Sequence, residues 1–258
     1  MKIAIVCSKK IKENFKVDYQ SELKKQNIKF IEINDYPHYL KDKQIKADYI
    51  IVLGIHSLKD HPKILSVHPI GNWQNIWKNK YGDLGGEKGK LSMSSGNFLK
   101  FVYLSLLKKN TQKKYKVCIE CTHHGPSIST PILSLEIGTT TKEWKDKKAI
   151  KTIIKVVKDI MKKFSPKNKE TCIVLGGNHY MENPAKLLKN SNYIISHFCP
   201  TNKLTKFTDK NLKEAIKKSE EKITKILLNL PKTSKYNSKL INLAKKNNLG
   251  HIYIKDLL

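Results

Sequence analysis

The sequence predicts an α/β fold with a central, largely parallel sheet, and three observations carry that prediction. Short apolar runs recur along the chain, segments with helical spacing separate them, and each run ends in glycine, histidine or a polar turn. The runs at 2–8, 28–33, 48–54, 115–122, 132–138, 171–177 and 192–198 read as strands. Most are apolar almost throughout rather than alternating, which points to a sheet covered on both faces. Over 142–164, Trp144, Ile150, Ile153, Val157, Ile160 and Phe164 fall at helical spacing, and Ser165 and Pro166 close the pattern. Ser94 or Ser95 can cap a helix carrying Phe98, Val102 and Leu106. Thr208 can cap another, whose apolar stripe runs Leu212, Ile216, Ile223, Leu227. No repeat, low-complexity tract or flexible linker divides the chain, so one domain over residues 1–258 is expected. The stretch from Ile55 to Gly96 is polar, rich in His, Gly, Asn and Trp, and long for a connection, a pattern that favours function.

With 258 residues and 39% hydrophobic content, the chain can bury a sizeable core. The opening "MKIAIVCSKK" has too short an apolar run for a secretion signal, and no stretch approaches the ~18 apolar residues of a membrane span. A cytoplasmic protein without a membrane partner is expected. Five scattered cysteines do not make a disulfide framework, so free thiols are expected. The net charge of +28 attracts polyanions and makes nucleic acid the natural partner. All 50 basic residues are lysine, which removes guanidinium forks and leaves recognition to diffuse charge and to the site itself. Codon usage rich in Lys, Asn and Ile would also place lysine on every solvated face.

Reactive groups in open α/β sheets gather beyond the carboxyl ends of strands. His56, His68, the pair His123 and His124, His179 and His197 all follow or end apolar runs, so parallel strands would bring these imidazoles to one edge. A single histidine there is commonly a satisfied core residue; so many at equivalent ends suggest a site. Imidazoles with a carboxylate and no thiolate cage suit a hydrolytic Zn²⁺ site. The carboxylate candidates are Glu120, Glu136 and Asp83, and Glu136 lies in the apolar run "ILSLEIG", where its burial requires a partner unless it faces solvent at a strand edge. Cys118 and Cys121 form a C-x-x-C, but positions three apart on a strand face opposite ways, so both read as packing residues. Ser127 follows a Gly-Pro turn, unlike the elbow of hydrolase serines, and suits a helix cap or a substrate hydrogen bond. The glycines of "GGNHY" (176–180) and "GGEKG" (85–89) can bring backbone N–H groups to an anion or an oxyanion, or simply form turns.

The motifs "SVHPIGN" (66–72), "GGEKGKLS" (85–92), "ECTHHGPS" (120–127), "LEIGTTTKEWKD" (135–146) and "LGGNHY" (175–180) resemble, in this order, the D-aminoacyl-tRNA deacylases of archaea and plants. The match is looser over 55–68 and 197–206. The resemblance implies a three-layer α/β/α fold of the phosphorylase/hydrolase type, with a mostly parallel, mixed sheet. It further implies a hydrolase that cleaves the ester between a D-amino acid and the terminal ribose of tRNA, with Zn²⁺ as cofactor, two ions per chain. On that reading His68, His123, His124, His179 and Glu136 are the metal-ligand candidates. His123, His124, His179 and Glu120 are the catalytic candidates, and Gly125, Ser127, Gly176, Gly177, Asn178 and Asn72 would meet substrate. A metal-free variant of the same chemistry would use a histidine base, with N–H groups near Gly176 and Gly177 as oxyanion donors. A monomer is expected. Two rival readings are a zinc peptidase or amidohydrolase, which leaves the charge unused and lacks H-E-x-x-H, and a non-catalytic RNA-binding protein, which leaves the histidines unexplained.

Overall fold

The computed structural model describes residues 1–57, 62–79, 82–111, 114–167 and 170–258. In chain order the elements begin β1 (Ile3–Ser8), α1 (Lys9–Phe15), α2 (Tyr19–Lys25), β2 (Ile31–Ile33), β3 (Tyr49–Ser57), β4 (Ile64–Pro69), β5 (Lys78–Asn79), β6 (Gly82–Asp83) and α3 (Gly96–Lys109). They continue β7 (Lys116–Ile119), β8 (Ile132–Thr139), α4 (Thr141–Trp144), α5 (Lys147–Lys163), β9 (Thr171–Leu175) and α6 (Glu182–Asn190). The chain closes with β10 (Ile195–Cys199), α7 (Asp209–Lys217), β11 (Ile223–Leu228), α8 (Asn237–Lys246) and β12 (Gly250–Tyr253). Among the described residues, no helix is long and apolar enough to cross a membrane.

The α/β class with a central, largely parallel sheet holds. Six strands form a sheet in the order β2-β1-β3-β8-β4-β7, parallel except where β4 runs antiparallel to β8. Four further strands form a separate, wholly parallel sheet, β10-β9-β11-β12. Alternation assigns the two faces of the larger sheet. Ile5, Ile51, Leu53, Leu65, Val67, Leu133 and Leu135 enter the main core with residues of α3 and α5, among them Phe98, Val102, Ile153 and Val157. Ala4, Val6, Ile50, Val52 and Ile132 pack on the other face with Ile70 and Ile128, in a smaller cluster of strand and loop residues. The site lies on this second face, beyond that cluster.

Local chemistry explains where the helices differ from the sequence pattern. The segment 142–164 is two helices, because Asp146 leaves the helix to accept hydrogen bonds from Lys148 N (2.8 Å) and Ala149 N (3.4 Å) as the cap of α5. Ser95 caps α3, as one of the two expected serines. The stripe from Leu212 to Leu227 is not one helix: α7 ends at Lys217, and Ile223 and Leu227 belong to β11. Two contacts turn the chain there. Ser219 Oγ donates back to Ala215 O (2.7 Å), and the Glu221 carboxylate accepts from Gly96 N (2.9 Å) and Asn97 N (2.9 Å) at the start of α3.

Candidate active site

The register of β3, β8 and β4 builds the floor of the site. Glu136 pairs with Gly54 on one side and Ser66 on the other, His56 with Gly138, and His68 with Ser134, so all these residues share one face. Two glycines leave the room. A Cβ on Gly54 would lie 3.0 Å from Glu136 Oε1, and one on Gly138 would lie 2.9 Å from His56 Cβ. Glu136 is therefore a residue of the sheet's interior, not of a solvent-facing edge, and its Oε1 accepts from Ser134 Oγ (2.6 Å) with His68 Nε2 at 3.4 Å.

β7 ends at Ile119, and the chain beyond it carries the rest. Glu120 makes an isolated bridge to Tyr180, and Cys121 N donates to His179 O (2.8 Å), which draws 179–181 against 119–121. Glu120 is fully buried, and one of its oxygens, Oε2, collects His179 Nε2 at 2.7 Å, His56 Nδ1 at 3.1 Å and His123 Nε2 at 3.8 Å. Its other oxygen, Oε1, is buried and has no hydrogen-bond partner among the described residues. Burial pushes this carboxyl up, but the His56 charge and the hydrogen bonds from His179 and His56 outweigh it, holding it well below the usual carboxylate range. Glu136 behaves alike: burial raises it, and hydrogen bonds from His124 and His68 bring it down to about 2.

The imidazoles divide by charge. His179 loses solvation by burial, yet its contacts with Cys121 and Glu120 raise it to about 10, so it is an imidazolium at neutral pH. In His56, too, burial is outweighed, chiefly by the Glu120 charge, and the net shift is upward. His123 goes the other way, held well below its ordinary value by burial and by the neighbouring His68, His124 and His179, and is neutral. The Nδ1 atoms of His68, His123 and His124 lie 2.9, 2.7 and 2.7 Å from the carbonyl oxygens of Pro69, Cys121 and Gly125. An imidazole whose Nδ1–H donates to a carbonyl presents Nε2 as its free ligand or base. His68, His123 and His124 place one ligand atom each within 4.8 Å of one another, as do Cys121, His123 and His179, and His56, Glu120 and His179. With the unpartnered Glu120 oxygen, these donors fit a divalent cation of the zinc type.

Other expected site residues serve as supports. Asn72 is buried; its Nδ2 donates to Gly85 O (2.9 Å) and its Oδ1 accepts from Trp77 N (2.9 Å), which shapes the loop over the histidines. Gly125 N donates to Leu84 O (2.7 Å), and a Cβ on Gly125 would fall on the backbone of Gly85 and Gly86, so only glycine permits this approach. Ser127 caps no helix; its Oγ accepts from Glu87 N (2.9 Å) and pins the 85–89 glycine turn. Gly176 N donates to Cys199 O (2.8 Å) and Gly177 N to Thr201 Oγ1 (2.9 Å), so neither is free for an oxyanion. Their φ values of +104° and +93° mark them as turn formers that swing the chain towards His179. Asn178 is exposed beside them.

Three candidates fall elsewhere. His197 belongs to the smaller sheet, fully buried, with Nε2 3.0 Å from Lys218 O and Nδ1 3.4 Å from Thr122 Oγ1, a satisfied core histidine. Asp83 is exposed and pairs with Lys78 at 2.9 Å. Cys118, the register partner of Ser66, lies on the site's face at the edge strand β7, where it lines a cleft with Lys116, Tyr180 and Glu182 and joins none of the donor groups among the described residues, whereas Cys121 is more than a packing residue: its sulfur lies 3.5 Å from His179 Nδ1. The alternation rule fails for Cys121 because the strand has already ended. Two residues of the site gave little sequence signal. Tyr180 Oη lies 2.9 Å from His56 Nε2, and the Trp77 ring lies 5.2 Å from that of His123. The adjacency of Tyr180 to His179 was the only available hint for the first, and the unusual length of the segment from Ile55 to Gly96 for the second.

With this geometry in view, comparison with known proteins is informative. A family model described as D-aminoacyl-tRNA deacylase matches residues 43–252. A D-aminoacyl-tRNA deacylase of Pyrococcus abyssi is 28% identical over 96% of this chain and 93% of its own length. Another, of Caldivirga maquilingensis, is 28% identical over 67% of this chain, and one of Thermoplasma volcanium is 28% identical over the same share. These last two matches span 62% and 64% of the relatives' lengths, so the chain aligns with somewhat under two thirds of each. A crystal structure of a conserved protein of unknown function superposes with a TM-score of 0.83 at 23% identity, covering 99% of this chain and 96% of that one, which shows the shared fold.

Proposed function

The chain belongs to the D-aminoacyl-tRNA deacylase family, and from that membership and the Glu120 centre we propose that it hydrolyses the ester joining a D-amino acid to the terminal ribose of tRNA. The observation that carries the reading is the pairing, around one buried carboxylate, of a neutral imidazole with two imidazoles of raised proton affinity. Ester hydrolysis needs a group to take a proton from water and positive charge near the tetrahedral oxyanion. His123 offers the free Nε2 for the first, its Nδ1 side being fixed by the Cys121 carbonyl. His179, more exposed than His56 or His123, carries the second, and Glu120 keeps it charged. Tyr180 and Glu120 grip His56 from its two nitrogens and fix its ring.

Zinc is part of the proposal. A Zn²⁺ on His68, His123 and His124 would take up His123 Nε2 and supply, in place of the imidazole base, a water ionised near neutral pH and a charge beside the carbonyl oxygen; on the Glu120 group it would take the place of the His179 proton. The +28 charge supports a polyanionic substrate and disfavours the peptidase reading, while the carboxylate–imidazole centre disfavours simple RNA binding. Supplying the protein with D-tyrosyl-tRNA and L-tyrosyl-tRNA tests the function directly. Release from the D ester is expected to be faster by orders of magnitude; equal rates, or none, would refute it.

A further inference from the structure

Of the three tryptophans, Trp73 and Trp144 are buried and their indole N–H groups donate to Phe198 O (3.1 Å) and His56 O (3.0 Å). Trp77 differs on both counts. It is half-buried, outside the three hydrophobic clusters, and among the described residues its indole N–H meets no acceptor. Its ring nonetheless stands beside the centre, 5.2 Å from the His123 ring and 6.0 Å from that of His179. Its backbone is held on both sides, the N–H by Asn72 Oδ1 (2.9 Å) and the carbonyl by Leu84 N (2.7 Å). Lys203 Nζ lies over the indole, 5.2 Å from a ring centroid, and the backbone of Lys203 is tied to the same loop by Gln74 Nε2 (2.7 Å to Lys203 O). Among the described residues Lys203 has no carboxylate partner.

A rigidly mounted, accessible aromatic ring beside a reaction centre, covered by one movable ammonium group, suits a flat ligand that also carries negative charge. Resting on the deacylase reading above, we propose that Trp77 and Lys203 are the platform for the terminal adenosine nucleotide of the substrate. The base stacks on the indole face and the lysine swings from that face to a phosphate. The placement follows from the substrate: the ester sits on the ribose of the last nucleotide, so its base lies one sugar ring from the carbonyl at His123. An uncharged amino-acid side chain would use the ring but leave the ammonium without a purpose.

Two measurements on the full-length protein test the platform. Adenosine 5′-monophosphate is expected to quench tryptophan fluorescence in the wild type and not in W77A, since the other two indoles are buried. In steady-state deacylation of D-tyrosyl-tRNA, W77A should raise KM about tenfold or more with a smaller change in kcat, W77F should recover most of that loss, and K203A should raise KM while flattening its salt dependence. Unchanged fluorescence with the nucleotide, or a W77A KM within about twofold of wild type, would overturn the platform. A W77A effect that follows the amino acid rather than the nucleotide would overturn it too, assigning the ring to the aminoacyl group. Wild-type turnover in the same series separates the two levels: without it the deacylase reading itself falls.

Discussion

Replacing Glu120 by Gln is expected to lower turnover by about 10²- to 10³-fold, the loss that follows when one group stabilising the oxyanion is removed, because the charge on His179 goes with it. The substitution keeps the shape and removes the charge that collects His56, His123 and His179 within 3.8 Å. It should also change the pH dependence of stability, best read in chelator-treated protein. The raised His179 contributes stability that is complete below its unfolded value near 6.5 and is lost as pH rises through about 10. The depressed Glu120 contributes stability present above its unfolded value near 4.5 and lost as pH falls through its folded value. Wild type should therefore exceed E120Q in urea-denaturation free energy most between about pH 4.5 and 6.5, with the gap narrowing as pH climbs towards 10. A gap that does not vary with pH would show that Glu120 does not set the charge on His179.

The second large effect is expected at His123, which belongs to two of the three donor groups. His123→Ala should cut turnover at least about 100-fold and lower the zinc retained after gel filtration, measured by elemental analysis. It also leaves the Cys121 carbonyl without its imidazole, at a cost of about 1–3 kcal/mol in stability. His56→Ala, which disturbs one donor group, should spare the metal on His68, His123 and His124. Chelation of the wild type should abolish turnover, with zinc restoring it; full activity in metal-free protein would assign the chemistry to the imidazoles and carboxylates alone.

Much of this arrangement is legible in the residues themselves. Apolar runs locate β1, β3, β7, β8, β9 and β10, and histidines at run ends do come together, but not at one carboxyl edge: β4 and β7 run opposite to β3 and β8, so His68 and His123 reach the centre from strands that point the other way from that of His56. What escapes is long-range. His56 and His197 look equivalent in sequence, each at the end of an apolar run; only the assignment of their strands to different sheets puts one beside Glu120 and the other in a core. Which sheet a strand joins depends on partners far along the chain. The spacing of Leu212, Ile216, Ile223 and Leu227 imitates a helix, and the pull of Glu221 towards Gly96, over a separation of 125 residues, is not visible locally. The same limit applies to Gly176 and Gly177, whose N–H groups are claimed by Cys199 and Thr201 across a strand crossover.

The central claim is a location: the ester is cleaved between His123, His179 and Glu120. A crystal structure with D-tyrosine joined through an amide to 3′-amino-3′-deoxyadenosine tests it most directly, because the amide resists hydrolysis and keeps the shape of the substrate. The account predicts the amide carbonyl oxygen at about 3 Å from the His179 ring, with its carbon one water away from His123 Nε2. Density for the ligand in the cleft between α3 and α6 lined by Tyr103, Leu107 and Lys186, with the histidine centre untouched, would contradict it.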